Sequence, residues 1–164
     1  MLLFGKEILM EIKTFNELTK EQVKFIAESN YYYWKKFNPA LDYNESTGNI
    51  IAMKDNANQL PIGIALLDNE EIVGFCTLRE NRLNNHLDIN PWLCNVMIFE
   101  EFQGKGYAKA MINFACEKFK TLGYSKIYVW TDQVPEFYKK LGWTFERMVT
   151  KNEGGKAFLF SKNI

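Results

Sequence analysis

The residues whose types and spacing best suit them to chemistry are Gln103-Gly104-Lys105-Gly106-Tyr107-Ala108. A strand-like apolar segment, residues 92–99, runs into them and a helical pattern runs out, so two glycines stand where the backbone turns. Glycine lets a main chain lie close against a ligand, and the first amide N–H groups of a helix have no partner within it. Such a turn is an anion site, and a pyrophosphate is its natural occupant. Two better-known phosphate loops do not fit. The dinucleotide fingerprint needs G-x-G-x-x-G followed by an acidic residue, and the ATP-type loop needs G-x-x-x-x-G-K-[S/T]; neither is present.

The elements around the turn follow from periodicity. Ala108, Met111, Ile112, Ala115, Phe119 and Leu122 recur at three- and four-residue steps, one buried helical face that Gly123 ends. Upstream, residues 7–13 alternate as a first strand. Thr14 or Thr19 can cap a helix running to about Phe37, with Val23, Ile26 and Ala27 facing inward. Near its end Tyr31-Tyr32-Tyr33-Trp34 cannot all point one way, so they divide between core, surface and the wall of a cleft. A polar connection, residues 38–49, carries Asp42 and Glu45 and leads to a short helix expected at 50–58. Residues 62–67 and 72–78 are short apolar runs about a turn at 68–71, a hairpin covered on both faces. The asparagine-rich stretch 79–90 is expected to be a surface loop. Residues 125–130 form another strand. Val134, Phe137, Tyr138 and Leu141 share a helical stripe behind Pro135, and Gly142 stops it. Residues 144–151 and 155–161 pair as a terminal hairpin. The order is β-α-α-β-β-β-α-β-α-β-β, an α+β chain with helices on a mixed sheet.

Composition narrows the partners. At 164 residues the chain suits one domain, 1–164, and has no repeat or linker. Twenty basic residues balance twenty acidic ones, so no overall field draws nucleic acid or an acidic membrane. Cys76, Cys94 and Cys116 are odd in number and lie in strand or helix patterns, which suggests neither a disulfide framework nor a zinc site and fits a reducing cytoplasm. The apolar start, Met1-Leu2-Leu3-Phe4, stops at Gly5, far short of the ~20 residues that span a bilayer. A soluble cytoplasmic protein without a bound metal is expected.

Three segments together carry a family resemblance. Gln103, Gly106 and Ala108 match the Q/R-x-x-G-x-G/A motif, with Asn90-Pro91-Trp92-Leu93 before it and Phe137-Tyr138-Lys139-Lys140-Leu141-Gly142-Trp143 after it. In this order the chain resembles the GNAT superfamily of acyl-CoA-dependent N-acetyltransferases, in particular a subgroup with a Pro-Trp-Leu segment. The resemblance implies a mixed sheet whose fourth and fifth strands splay apart to admit acetyl-CoA. It also implies a pyrophosphate on the backbone of Gln103, Gly104, Lys105, Gly106, Tyr107 and Ala108, and main-chain groups of Val96 and Ile98 pairing with the pantetheine arm. Lys105 either adds charge there or is merely solvated. Tyr138 matches the tyrosine near the acyl-CoA sulfur, where it donates to the leaving thiolate; its other role is packing on its stripe. Thr131 stands where many relatives carry a cofactor-contacting asparagine, and keeps a weaker polar contact.

The implied acceptor is an amine of a small molecule or peptide, and it must be neutral to attack. No carboxylate stands in the middle of the fourth strand, which reads Cys94-Asn95-Val96. Asp88 is the first candidate base, ahead of His86, Glu100 and Glu101, whose polar settings suit solvation. Cys94 as an acyl carrier competes with Cys94 as a small core residue, which is the commoner use. The activity implied is acetyl transfer to a primary amine in a ternary complex. A CoA-binding regulatory module without catalysis and an interaction domain built on the aromatic cluster are the alternatives. A homodimer is compatible with all of them.

Overall fold

The computed structural model describes residues 10–164. The apolar start and the first residues of the expected opening strand, 7–9, lie outside them. The elements are β1 (Met10–Thr14), α1 (Lys20–Lys35), α2 (Tyr43–Ile51), β2 (Ile62–Asp68), β3 (Glu71–Arg79), β4 (Trp92–Ile98), α3 (Tyr107–Thr121), β5 (Lys126–Thr131), α4 (Pro135–Lys140), β6 (Thr144–Thr150) and β7 (Lys156–Asn163). Among the described residues the strands form one mixed sheet in the order β1-β2-β3-β4-β5-β7-β6. Every neighbouring pair is antiparallel except β4 and β5, which are parallel.

Strand alternation divides the core between the two faces of the sheet. Ile62, Ile64 and Leu66 pack with Met111, Ile112, Ala115 and Phe119 of α3. Ala65 and Leu67, on the other face, pack with Val23, Ile26 and Ala27 of α1 and with Phe75. Burying both faces explains why β2 and β3 read as continuous apolar runs. The turn between them holds Asn69 and Glu70 at φ 49° and 70°, the left-handed pair of a tight hairpin. Helix α1 begins with a reciprocal box in which Gln22 N–H donates to Thr19 Oγ1 at 3.1 Å and Thr19 N–H donates to Gln22 Oε1 at 2.9 Å. Thr14 serves a separate short turn, Phe15–Glu17.

Three expectations are corrected. The second helix is Tyr43–Ile51, not 50–58. Asp42 caps it, accepting from Glu45 N–H at 2.8 Å, and its inward face includes Ser46 and Thr47, whose hydroxyl donates to Tyr43 O at 2.7 Å. A half-polar inward face hides helical periodicity. The stretch between β3 and β4 is not a plain surface loop: Leu83 and Ile89 are buried and pack around Trp92 with Val149 and Leu159. Asn152, in the β6–β7 turn, fastens it by accepting from Asn84 N–H at 2.9 Å and donating to Arg82 O at 3.0 Å. Val134 leaves the expected stripe and is exposed at the N-cap of α4.

Candidate functional site

The site begins where β4 and β5 part. They share one residue pair, Trp92 with Tyr128, supported by Tyr128 N–H donating to Pro91 O at 3.1 Å. Beyond it β5 pairs with β7 along its length, while β4 has no partner on its β5 side among the described residues. A bulge adds to the divergence: between its pairings with Phe75 and Thr77, β4 accommodates an extra residue, and Asn95 takes φ 53° there. Asn95 Nδ2 donates to Thr77 Oγ1 at 3.1 Å, which fixes the bulge to β3. The gap is a cavity of about 260 Å³ lined by residues 93–98 of β4, residues 129–134, Gln103 and Tyr138.

Backbone direction along β4 follows from one bond. Phe99 N–H donates to Val73 O at 2.9 Å, so Phe99 faces β3. By the two-residue alternation of a strand, Met97 also faces β3 and the main-chain groups of Ile98 face the gap, while Val96, beside the bulge, lines it. Gln103 closes the far end, its Nε2 donating to Ile98 O at 2.9 Å. A carbonyl has a second lone pair, so this bond steers Ile98 without exhausting it.

The glycine turn follows. Gly104 and Gly106 have φ 78° and 79°, left-handed values that a side chain strongly disfavours. Gly106 is the N-cap of α3 and supplies no capping side chain, unlike Thr19 for α1 and Asp42 for α2. The first amides of α3 therefore keep free donors at the positive end of a helix dipole. Tyr107 offers the turn only its backbone, because its side chain is buried in the protein with its hydroxyl donating to Asp68 Oδ2 at 2.7 Å. Ala108 is half-buried on the same first turn. Lys105 is exposed, its Nζ 5.6 Å from the Phe102 ring centroid.

Tyr138 is on the wall of the gap and is 4% exposed. Its ring packs on Trp143 and Phe160, with centroids 5.6 and 5.9 Å away. Burial, reinforced by the thiols of Cys76 and Cys94, pushes the phenol's pKa well above its ordinary value, so the hydroxyl keeps its proton as a donor. Thr131 is buried at the end of β5. Its Oγ1 accepts from Val134 N–H at 3.1 Å and Gln133 N–H at 3.3 Å, organising the turn into α4. Its lone pairs are thus committed to the chain, which leaves its hydroxyl proton for a ligand.

The structure does not bring Asp88 to the gap: it is exposed and lines neither the cavity beside Tyr138 nor its neighbour. His86, Glu100 and Glu101 are also outside both linings. Asp132 is on the wall, paired to Lys151 at 2.7 Å. Cys94 lines the gap but is 6% exposed, and burial raises its thiol pKa despite the lowering pull of Arg82 and Arg79. Of the aromatic cluster, none is wholly buried; Tyr33 and Trp34 line the gap, and the Tyr33 hydroxyl reaches Gln133 Oε1 at 3.5 Å across its mouth.

A second cavity of about 670 Å³ adjoins the first, and Trp34, Arg82, Asn95 and Trp130 line both. Arg82 and Trp130 stand out beyond the sequence expectations: the guanidinium carbon is 5.1 Å from the indole centroid. Arg79 lines the second cavity as well. A signal was available, since the chain has only three arginines and two of them, Arg79 and Arg82, stand three residues apart at the end of β3.

A family model described as "Acetyltransferase (GNAT) family" matches residues 15–143. Among solved structures, an aminoglycoside 6'-N-acetyltransferase complexed with coenzyme A aligns at 16% identity and a TM-score of 0.69, covering 93% of this chain and 96% of the other. An N-acetyltransferase from Staphylococcus aureus Mu50 aligns at 16% identity and 0.69, covering 94% and 98%. The aminoglycoside 6'-N-acetyltransferase from Enterococcus faecium aligns at 16% and 0.67, covering 93% and 96%. At such identities these likenesses concern the fold. No curated protein matches the sequence.

Proposed function

The chain belongs to the acetyltransferase (GNAT) family, and from that premise we propose that it transfers an acetyl group from acetyl-CoA to a primary amine by direct attack in a ternary complex. The observation that carries the proposal is the unpartnered edge of β4 leading to a helix N-terminus without a capping side chain. An extended arm with amide groups can add to such an edge as a strand would, and a pyrophosphate can be held by the free amides of residues 104–108. Val96 and Ile98 supply the main-chain partners, Gln103 sets the end of the edge, and Thr131 offers a polar contact opposite. Lys105, exposed beside the turn, adds charge near the phosphates. The Pro-Trp-Leu segment supports placement in the corresponding subgroup, because it forms the point from which β4 and β5 diverge.

Acetyl-CoA supplies the activated acyl group and a thiolate leaving group. As the amine nitrogen bonds to the thioester carbonyl carbon, the carbon–sulfur bond breaks and negative charge moves to sulfur. Tyr138, held protonated by its buried setting, stands on the wall as the donor to that charge. With ordinary values of ~10 for the phenol and ~8.5 for the thiol, complete transfer is already uphill by roughly 2 kcal/mol, and the raised phenol makes it more so. A hydrogen bond that strengthens as charge develops is therefore the role the site supports. The amine proton leaves through water, since Asp132 is ion-paired to Lys151 and Asp88 is not among the residues that line the gap. The neighbours named as aminoglycoside N-acetyltransferases support an amine acceptor, and the second cavity, which adjoins the gap, has room for it. A single domain working in the cytoplasm completes the proposal. None of the described helices is long and apolar enough to cross a membrane.

The test is incubation with acetyl-CoA and a mixed panel of amines while free thiol is monitored. Amine-dependent thiol release is expected. Stabilisation by acetyl-CoA with no release for any amine would reduce the protein to a CoA-binding module, and absence of stabilisation would remove the cofactor site.

A further inference from the structure

The second cavity carries charges of both signs. Asp42, Glu45 and Glu153 line it together with Arg79 and Arg82. Glu153 approaches Lys151 at 3.9 Å, but among the described residues no ion pair includes either arginine. Both arginines are partly buried. For Arg79, burial presses against the protonated form, opposed by Cys94 and reinforced by the neighbouring charge of Arg82, and no carboxylate takes part. A desolvated guanidinium without an anion is costly, and proteins rarely leave two side by side without use.

Arg82 is held in place for a task. Its carbonyl accepts from Asn152, its guanidinium lies over Trp130, and it belongs to the walls of both cavities. It therefore stands at the junction of the two cavities. Two further polar atoms in this wall, Asn30 Oδ1 and Trp34 Nε1, are buried without a partner.

We propose that the acceptor is a small amino carboxylate, an amino acid or a close analogue, whose carboxylate is bound by Arg79 and Arg82 while its amine is directed to the thioester. This rests on the acetyltransferase reading and gives it a substrate class. A guanidinium fork matches a carboxylate in two parallel hydrogen bonds, a geometry a lysine cannot reproduce. The three acidic side chains of the same cavity suit the ammonium end of a zwitterion and oppose a doubly charged phosphate. A polycation would have to set one of its charges against Arg82, beside the reacting centre.

The test is calorimetric titration of the CoA-loaded protein with the twenty proteinogenic amino acids, β-alanine, γ-aminobutyrate, and the matching carboxamides and decarboxylated amines. At least one amino carboxylate is expected to bind about 30-fold or more tightly than its carboxamide. Arg82→Gln and Arg79→Gln should each erase most of that preference with the dissociation constant of CoA unchanged, and Arg82→Lys should restore part of it. Equal binding of carboxamides, or binding of carboxylate-free amines alone, overturns the proposal. So does a CoA affinity that falls with Arg82→Gln in parallel, which would assign the residue to the cofactor. Failure of CoA itself to bind would instead strike the acetyltransferase reading beneath it.

Discussion

Tyr138 and Trp143 are joined twice: Trp143 N–H donates to the Tyr138 carbonyl at 3.0 Å, and the two rings meet nearly perpendicular at 5.6 Å between centroids. Gly142 between them has φ 84° and its N–H donates to Lys139 O at 3.0 Å. This is the paired-bond helix stop with its usual apolar contact, and it fixes Tyr138 from the C-terminal side of a six-residue helix. The catalytic candidate is thus oriented by the chain's own exit from α4.

None of those contacts uses the phenolic oxygen, which separates packing from catalysis. Tyr138→Phe is expected to keep the fold, with a melting temperature within a few degrees of wild type, and to keep the acetyl-CoA dissociation constant. Turnover should fall roughly 10- to 1000-fold, the range for losing one donor aimed at developing charge. Normal turnover with a lowered melting temperature would make Tyr138 a core residue only.

Gly106→Val probes the anion turn. Apart from its chain neighbours, an added Cβ meets no described heavy atom within 4 Å at Gly106, so the position borders open space rather than packed core. The left-handed φ of 79° still strains a β-branched residue, by about 1–2 kcal/mol or more, and the melting temperature should drop modestly. The larger expected effect is loss of the upward shift that acetyl-CoA produces in wild type. Equal ligand-induced shifts in both proteins would move the pyrophosphate elsewhere.

What the sequence made legible follows physical rules. Strands β2 to β5 and helix α3 have strong periodicity and glycine punctuation, so their order and the turn at 103–108 were readable. Helix α2 was misplaced because Ser46 and Thr47 occupy its buried face, where polarity masks the period. The close pair Arg79 and Arg82 is visible in the sequence, but the cavity that both line is not, for a different reason. Their loop reads as polar, and its anchors are Leu83 and Ile89 in a satellite core and Asn152, which comes from the β6–β7 turn some 70 residues downstream. Contacts of such separation leave no local pattern. Asp88 ranks first in the sequence because relatives with a similar Pro-Trp-Leu segment often carry an acidic residue near it, and the fold leaves it outside both cavity linings.

Cys94 lines the gap, so a covalent route through it must be tested. Its thiol is raised by burial, which makes thiolate scarce at neutral pH and the sulfur a poor nucleophile. Cys94→Ala should retain turnover within about threefold, a margin for local repacking at a small buried side chain. Incubation with acetyl-CoA alone should leave no acetyl group on the protein by mass spectrometry. Stoichiometric acetylation of Cys94, lost with its substitution, would replace the ternary mechanism by a two-step one.

The last prediction concerns the amine proton. An alkylamine of ordinary pKa ~10.4 is neutral in fewer than about one molecule in a thousand at pH 7, a deficit of roughly 4.6 kcal/mol that a base or a water path must cover. If water alone carries the proton, kcat/KM should climb about tenfold per pH unit until the pKa of the free amine is reached. Asp88→Asn should then follow wild type across the range, because Asp88 is exposed and outside both cavities. Asp132→Asn should leave the slope intact as well, and its effect should be confined to whatever the lost pairing with Lys151 costs in stability. A plateau beginning near neutral pH in wild type would instead reveal a protein base. Its loss in Asp132→Asn would assign that base to the carboxylate on the wall, and its loss in Asp88→Asn would mean that the segment carrying Asp88 reaches the gap when substrate binds.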